Sequence, residues 1–410
     1  MRAHGLWLLW VIGCTGATPA DAQVRPGIEV LLSDSIHLVR GKRLGLLTNH
    51  TGVDRRGQRD VDVLIADGLR LTAIFSPEHG FRGLEDRPGL PDAIDSATRV
   101  PIYSLYGGSR MAALSALDSV DVLLVDLQDI GARYYTYIAT TASLIRDAAA
   151  RHVAILILDR PDPIGGLLVQ GNVRLAPGDP DSDFVGFLPV AMRPGMTLGE
   201  MARMADDVLG LHASLTVIRA AGWLRRLTYD STGLPWIKPS PNMPSLESAF
   251  HYPGLCLFEG TNLSVGRGTP IAFQLVGAPW LDGARVLRAL REAGGTGRSP
   301  LVGVDVIDTA FTPQGPTDGK YGGVRLTGLR FLVTDRTVYD PTLVAIALLT
   351  AVRSVHPDSF QFKADGFDQL AAGPELRLAV LAGQSAPEIW RTWSEPLARF
   401  RRVRAKYLLY

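Results

Sequence analysis

Cysteine is nearly absent from this chain of 410 residues, which has only Cys14 and Cys256. Residues 1–22 carry the marks of a leader, and once it is removed Cys256 is alone and no intrachain disulfide can form. Cys256 lies in the apolar GLCLF and is expected to be a core thiol rather than a nucleophile. Basic runs are equally scarce. With 42 Lys and Arg against 41 Asp and Glu the formal charge is +1, and RRVRAK at 401–406 fits a solvated helix face, so nucleic acid is not an expected partner. Beyond the leader no run reaches the roughly 18 apolar residues of a membrane helix.

Several motifs are also missing. There is no G-x-G-x-x-G after the first strand and no G-x-x-x-x-G-K-[ST], so no nucleotide cofactor is implied. The absence of G-x-S-x-G removes the serine-hydrolase elbow, and with it the main support for an esterase or amidase. H-E-x-x-H is missing too, and His50, His79, Asp126 and Asp129 show no recognised ligand spacing, so no metal is expected.

At the N-terminus the apolar GLWLLWVIG is followed by ATPADAQ, whose Ala20, Asp21 and Ala22 fit a small-x-small cleavage site. Residues 1–22 read as a secretory signal cut after Ala22, which makes the protein exported, periplasmic or extracellular. Residues 11–14, VIGC, offer the alternative of a lipid anchor at Cys14.

From residue 23 to about 250 short β-branched runs alternate with amphipathic segments. Runs such as VLLVDL and VAILILD are apolar at nearly every position, as strands covered on both faces must be. This alternation predicts an α/β fold, a Rossmann-like doubly wound parallel sheet. After residue 250 strands precede helices instead of alternating with them. Residues 251–410 therefore read as a second, smaller α+β domain, with three helical stretches at its end.

In open parallel sheets the ligand crevice lies beyond the carboxyl ends of the strands. Here those ends carry TNHTG, SPEHG, DLQDIGARYY and DRPDP. PSPNMP at 239–244 and the glycine-rich FEGTNLSVGRGT at 258–269 join the rim from the domain junction. Glu78 stands out, a carboxylate at a strand end between Pro77 and Gly80 with His79 beside it; its alternative is a cap or a pair with Arg82. Asp126, Gln128, Asp129 and Arg133, with Tyr134 and Tyr135, could bind sugar hydroxyls or a carboxylate, or could be an internal salt bridge with packed tyrosines. Asn49 and His50 end the first strand, where they can meet a ligand or satisfy turn backbone. Asp159 is read as a cap, and Glu259 is the carboxylate to watch in the junction loop.

These residues lie in GLLTNHTGVD, FSPEHGFRG, DLQDIGARYYTY, LDRPDPIGG, PSPNMP and FEGTNLSVGRGT. In that order the motifs resemble a bacterial family first described as a domain of unknown function and now associated with exo-β-N-acetylmuramidases of the YbbC/NamZ type. The resemblance covers nearly all of the chain after residue 22. It implies a Rossmann-like catalytic domain with an auxiliary domain, the site between them, and release of N-acetylmuramic acid from non-reducing ends of peptidoglycan fragments such as MurNAc-GlcNAc. Glu78 then matches the proposed catalytic glutamate, with His79 tuning it. Asn242, Glu259, Asn262 and Arg267 fall in the matching junction motifs as substrate contacts. Glycoside cleavage commonly uses two carboxyl groups, and Glu259, Asp126 and Asp129 stand as candidates for the second unless the substrate's N-acetyl oxygen takes that role. Arg133 or Arg267 could meet the lactyl carboxylate by charge. A non-catalytic muropeptide-binding protein is the alternative reading.

Overall fold

The computed structural model describes residues 23–87, 89–107, 109–294 and 299–410. The expected signal segment, residues 1–22 with Cys14, lies outside these residues. A seven-stranded sheet is built from β1 (Arg43–Thr48), β2 (Arg70–Ser76), β3 (Ala93–Ile94), β4 (Pro101–Ser104), β5 (Val122–Asp126), β6 (Ala154–Leu158) and a strand at Leu215–Ile218. Two short strands, β7 (Gln170–Val173) and β8 (Ala191–Arg193), form a separate ribbon in between, so the seventh sheet strand is β9. The order is β3-β4-β2-β1-β5-β6-β9, and every pairing is parallel except the edge pair β3 and β4.

Without β3 this is the doubly wound order 3-2-1-4-5-6. The chain leaves β1 toward β2 on one side and returns through β5 on the other, so the switch point falls between β1 and β5, where Thr48 pairs with Asp126. Helices α1 (Gly27–Asp34) and α2 (Asp60–Ala66) cover one face, while α3 (Arg110–Leu117), α4 (Tyr137–Ala149) and α5 (Leu198–Val208) cover the other. The apolar runs divide by the two-residue period of a strand. Leu123 and Val125 of β5 join one core cluster while Val122 and Leu124 join the other, and Ile155 and Ile157 of β6 part in the same way from Leu156 and Leu158.

Helix α6 (Leu246–Leu255) leads into a second, antiparallel sheet of order β10-β12-β11, made of β10 (Leu275–Ala278), β11 (Val304–Phe311) and β12 (Leu326–Val333). Helix α7 (Gly283–Glu292) and the buried α8 (Pro341–Val355) pack with it, and α8 begins where Asp340 caps and Pro341 takes the first turn. One hydrophobic cluster runs from the α4 and α5 face of the first sheet through α6 into this region. Four further helices follow, α9 (Ala364–Ala371), α10 (Glu375–Leu381), α11 (Ala386–Thr392) and α12 (Ser394–Arg404), so with α8 five helices stand where the sequence predicts three. Gly373 at φ 143° and Pro374 break the expected single helix into α9 and α10.

Candidate active site

Glu78 stands immediately past β2, in a turn that needs unusual backbone. His79, Gly80 and Gly83 all take positive φ, at 69°, 72° and 66°. A Cβ on Gly83 would fall 1.8 Å from the His50 ring, so glycine alone lets this turn close on the end of β1. Half-buried, Glu78 accepts a 2.6 Å hydrogen bond at Oε2 from Thr136, the residue that precedes α4. The Tyr106 phenol faces the same carboxylate, and burial together with the Glu78 charge pushes it up to about 12. His79 donates from Nδ1 to the Glu85 carbonyl at 2.8 Å, which fixes that nitrogen as the protonated one, and the same nitrogen lies 3.6 Å from Asp86.

Asp86 links this turn to the second domain. Its Oδ2 accepts from Asn242 at 2.6 Å and lies 3.5 Å from the Arg267 guanidinium. Burial opposes its charge, but hydrogen bonds from Thr317 and Asn242 and the Arg267 charge outweigh that and hold it below the usual carboxylate range. Arg267 also bonds Glu259 and lies over the Phe273 ring at 5.6 Å. Thr317 comes from the loop between β11 and β12 and accepts from Asn242 at 3.2 Å. Three residues on, the buried Lys320 donates to the carbonyls of Phe258, Glu259 and Leu263, tying that loop to the Glu259 segment; burial pushes its ammonium down to about 8.

Five of the residues named from sequence, Glu78, His79, Asn242, Glu259 and Arg267, therefore gather around one polar junction. His50 borders it, donating from Nε2 to the Lys238 carbonyl at 2.7 Å; burial, and to a smaller extent the neighbouring His79, lower its basicity. Asn49 forms the floor, with its amide donating to Tyr137 and its oxygen accepting from Thr51.

The remaining residues expected from sequence are bonded within the protein. Asp126 is fully buried and holds Arg160, whose guanidinium also bonds the Val53 carbonyl. Gln128 donates to the carbonyls of Asp129 and Pro161. Asp129 is buried, accepts from the Gly131 amide at 2.8 Å, and is pushed up to about 7 by burial. The internal alternative also holds for Arg133, although its partners are the carbonyls of Asn172, Val190 and Leu370 rather than Asp129. Tyr134 donates to the Pro253 carbonyl, and Tyr135 packs edge-on against Tyr137 and Tyr252. Asn262 braces Ser359 and Gln361 within the second domain. Asp159 serves as expected, accepting from Thr197 and the Gly199 amide at the start of α5.

Tyr106, Asp86, Thr136 and Thr317 escaped the sequence reading. Asp86 follows the FSPEHGFRG motif by three residues and Thr136 sits within DLQDIGARYYTY, so proximity to those motifs was the available signal. Tyr106 and Thr317 lie in turns with no such neighbour.

The N-terminal model of the family described as exo-beta-N-acetylmuramidase NamZ matches residues 44–247, and its C-terminal model matches residues 250–410. The chain belongs to the NamZ family. It is 36% identical, over 99% of its own length and 98% of the relative's, to the peptidoglycan beta-N-acetylmuramidase NamZ of Bacillus subtilis (strain 168). Two crystal structures of DUF1343 family proteins from Bacteroides fragilis share the NamZ-type fold seen here, with TM-scores of 0.84 and 0.72 at 31% and 30% identity; each comparison covers 95% of this chain and 99% of the other. Among the described residues no group of three His, Cys, Asp or Glu side chains converges as a metal site would, and no helix is long and apolar enough to cross a membrane.

Proposed function

We propose that this protein is an exo-acting glycoside hydrolase that removes N-acetylmuramic acid from the non-reducing ends of peptidoglycan fragments such as MurNAc-GlcNAc. The observation that carries the reading is the placement of Glu78: a carboxyl at a strand end, oriented by the Thr136 hydroxyl, beside a polar junction drawn from both halves of a NamZ-family chain. In this reading Glu78 protonates the glycosidic oxygen and His79 shapes the turn that presents it. Residues 23–250 supply the acid, and residues 251–410 supply Glu259, Arg267 and Thr317 toward the sugar.

Arg267 is the partner for the lactyl carboxylate, since Arg133 is sealed among backbone carbonyls. Of the candidates for the second catalytic group, Asp126 and Asp129 are buried away from the junction. Glu259 has one oxygen on Arg267 and the other on the Cys256 thiol, which favours the N-acetyl carbonyl oxygen of the substrate as the internal nucleophile. Export fits a substrate outside the cytoplasmic membrane, with cleavage after Ala22 or lipidation at Cys14; sequencing the mature N-terminus separates the two.

The test is release of free MurNAc from MurNAc-GlcNAc by the wild type beside Glu78→Gln. Release by the wild type and a loss of at least 1000-fold in the variant are expected, in line with removal of a general acid from a site that depends on it. If the wild type binds the disaccharide and neither protein releases the sugar, the binding-protein reading replaces this one.

A further inference from the structure

A groove of about 550 Å³ opens beside Glu78 and lies wholly on the first domain. Its size is that of a small-ligand site. Its floor is one face of α4. Thr136, which bonds Glu78, is followed at helical spacing by Thr140, Ser143 and Asp147, all three lining the groove. Eleven residues at 1.5 Å each carry this face about 16 Å away from the acid, longer than a single sugar ring. The wall is aromatic: Tyr106, the phenol that faces Glu78, lies 5.6 Å from the Phe184 ring at an interplanar angle of 32°.

The far end is polar and open. Arg110 is 50% exposed, and it bonds Asp147 at 2.9 Å and approaches Asp181 at 3.5 Å, while Ser143 donates to Asp181 at 2.6 Å. Arg146 pairs with Asp181 as well, so two arginines face two carboxylates there and the groove offers hydrogen bonds and ring faces rather than a net field for an anion. Flat apolar faces edged by hydroxyl and amide groups are the chemistry of an uncharged amino sugar. The other side of Glu78 is bounded by the Asp86, Asn242, Arg267 and Thr317 junction, which suits a single terminal residue.

We propose that this groove along α4, walled by Tyr106 and Phe184 and ending at Arg110, binds the glycan on the leaving-group side of the scissile bond, starting with its N-acetylglucosamine unit. The inference rests on the muramidase reading and extends it, because it makes turnover depend on chain length. An exo-acting site must be open on the side where the polymer continues, and the groove meets that condition.

The test compares kcat/KM for an aryl β-N-acetylmuraminide, for MurNAc-GlcNAc and for the tetrasaccharide (MurNAc-GlcNAc)2 in the wild type, Phe184→Ala and Arg110→Ala. The expected result is a wild-type preference for the tetrasaccharide over the aryl glycoside that falls about tenfold in Phe184→Ala through loss of the ring contact. It should fall in the same direction in Arg110→Ala. Arg110 is half-exposed at the start of its helix, so its variant carries the test if circular dichroism shows Phe184→Ala unfolded. An unchanged preference overturns the groove assignment. A uniform loss on all three substrates overturns it as well, because the groove would then hold the released sugar. If the wild type frees no MurNAc from any of them, the muramidase reading itself fails and the groove assignment falls with it.

Discussion

Replacing Asp129 by Asn should stabilise the protein, increasingly as the pH rises above about 4 and in full above about 7. The Asp129 side chain is buried, one carboxylate oxygen accepts the Gly131 amide and the other has no hydrogen-bond partner. Burial raises it from 3.8 to about 7, against the pull of the Gly131 and Ile130 amides. Because the folded value lies above the unfolded one, the native state holds the proton more tightly between about pH 4 and pH 7, and stability falls with rising pH across that window. About three pH units at ~1.4 kcal/mol each put the full penalty near 4 kcal/mol above pH 7. Asparagine keeps the oxygen that faces Gly131 and removes the charge, and its amide adjoins the buried Asp162 carboxyl, itself pushed up to about 7 by burial with Asp129 contributing. A gain on the order of 2 to 4 kcal/mol at pH 8, vanishing by pH 4, is expected. Thermal melts of both proteins at pH 4, 6 and 8 measure it, with MurNAc release assayed in parallel. A lower Tm for the variant at pH 8, or an equal shift at every pH, would refute the reasoning. Lost activity with an unchanged Tm would return Asp129 to the ligand.

Thr136→Val removes a hydrogen bond to the Glu78 carboxylate, so kcat should fall about ten- to a hundredfold while KM changes little, and Thr136→Ser should restore it; steady-state kinetics decide. Asp86→Asn leaves Arg267 with Glu259 as its carboxylate partner and should raise KM about tenfold, read from saturation curves. Asp86 lies below its usual 3.8, so its charge and the stability it brings are present above that pH and are lost only as pH falls further; wild-type KM should not follow this group above about pH 5. Arg160→Met strands the buried Asp126 and should cost about 3–5 kcal/mol in denaturant unfolding, most of it recovered in Asp126→Leu/Arg160→Met; additive losses would show that the pair is not coupled.

The parallel sheet was legible because its strands are buried on both faces: nothing but a covered strand asks for Leu, Val and Ile at every position of VLLVDL and VAILILD. The short pieces were not. Ala93–Ile94 and the β7 and β8 ribbon have two to four residues each, too few for a period to register. Within the candidate site, the strand-end rule names the rim but not which of its residues face outward. Asp126 and Gln128 share the rim with Glu78, yet one holds Arg160 and the other two backbone carbonyls. A buried arginine bonded to carbonyls, as Arg133 is, looks the same in sequence as one awaiting a carboxylate. Thr317 was hidden for a different reason: its contact with Asn242 spans 75 residues and depends on how the two sheets meet.

The switch point of this doubly wound sheet holds no room for a dinucleotide phosphate. In dinucleotide-binding sheets a glycine-rich turn and the first helix bring backbone amides to a phosphate. Here the crevice between β1 and β5 is filled by the protein itself. Arg160 reaches in from the end of β6 to hold Asp126, and Asp60, the first residue of α2, stands fully buried 4.0 Å from the same guanidinium. Burial and the Asp126 charge raise the Asp60 carboxyl well above its ordinary range, so a protonated Asp60 leaves the one guanidinium to balance Asp126. With Asp60 and Asp62 in its first turn, α2 presents carboxyl groups where a phosphate would need amides. On the outer rim the next strand, β2, is followed by Pro77 and Glu78, and the left-handed His79 and Gly80 open the turn that carries Asp86 to Arg267 of the second domain.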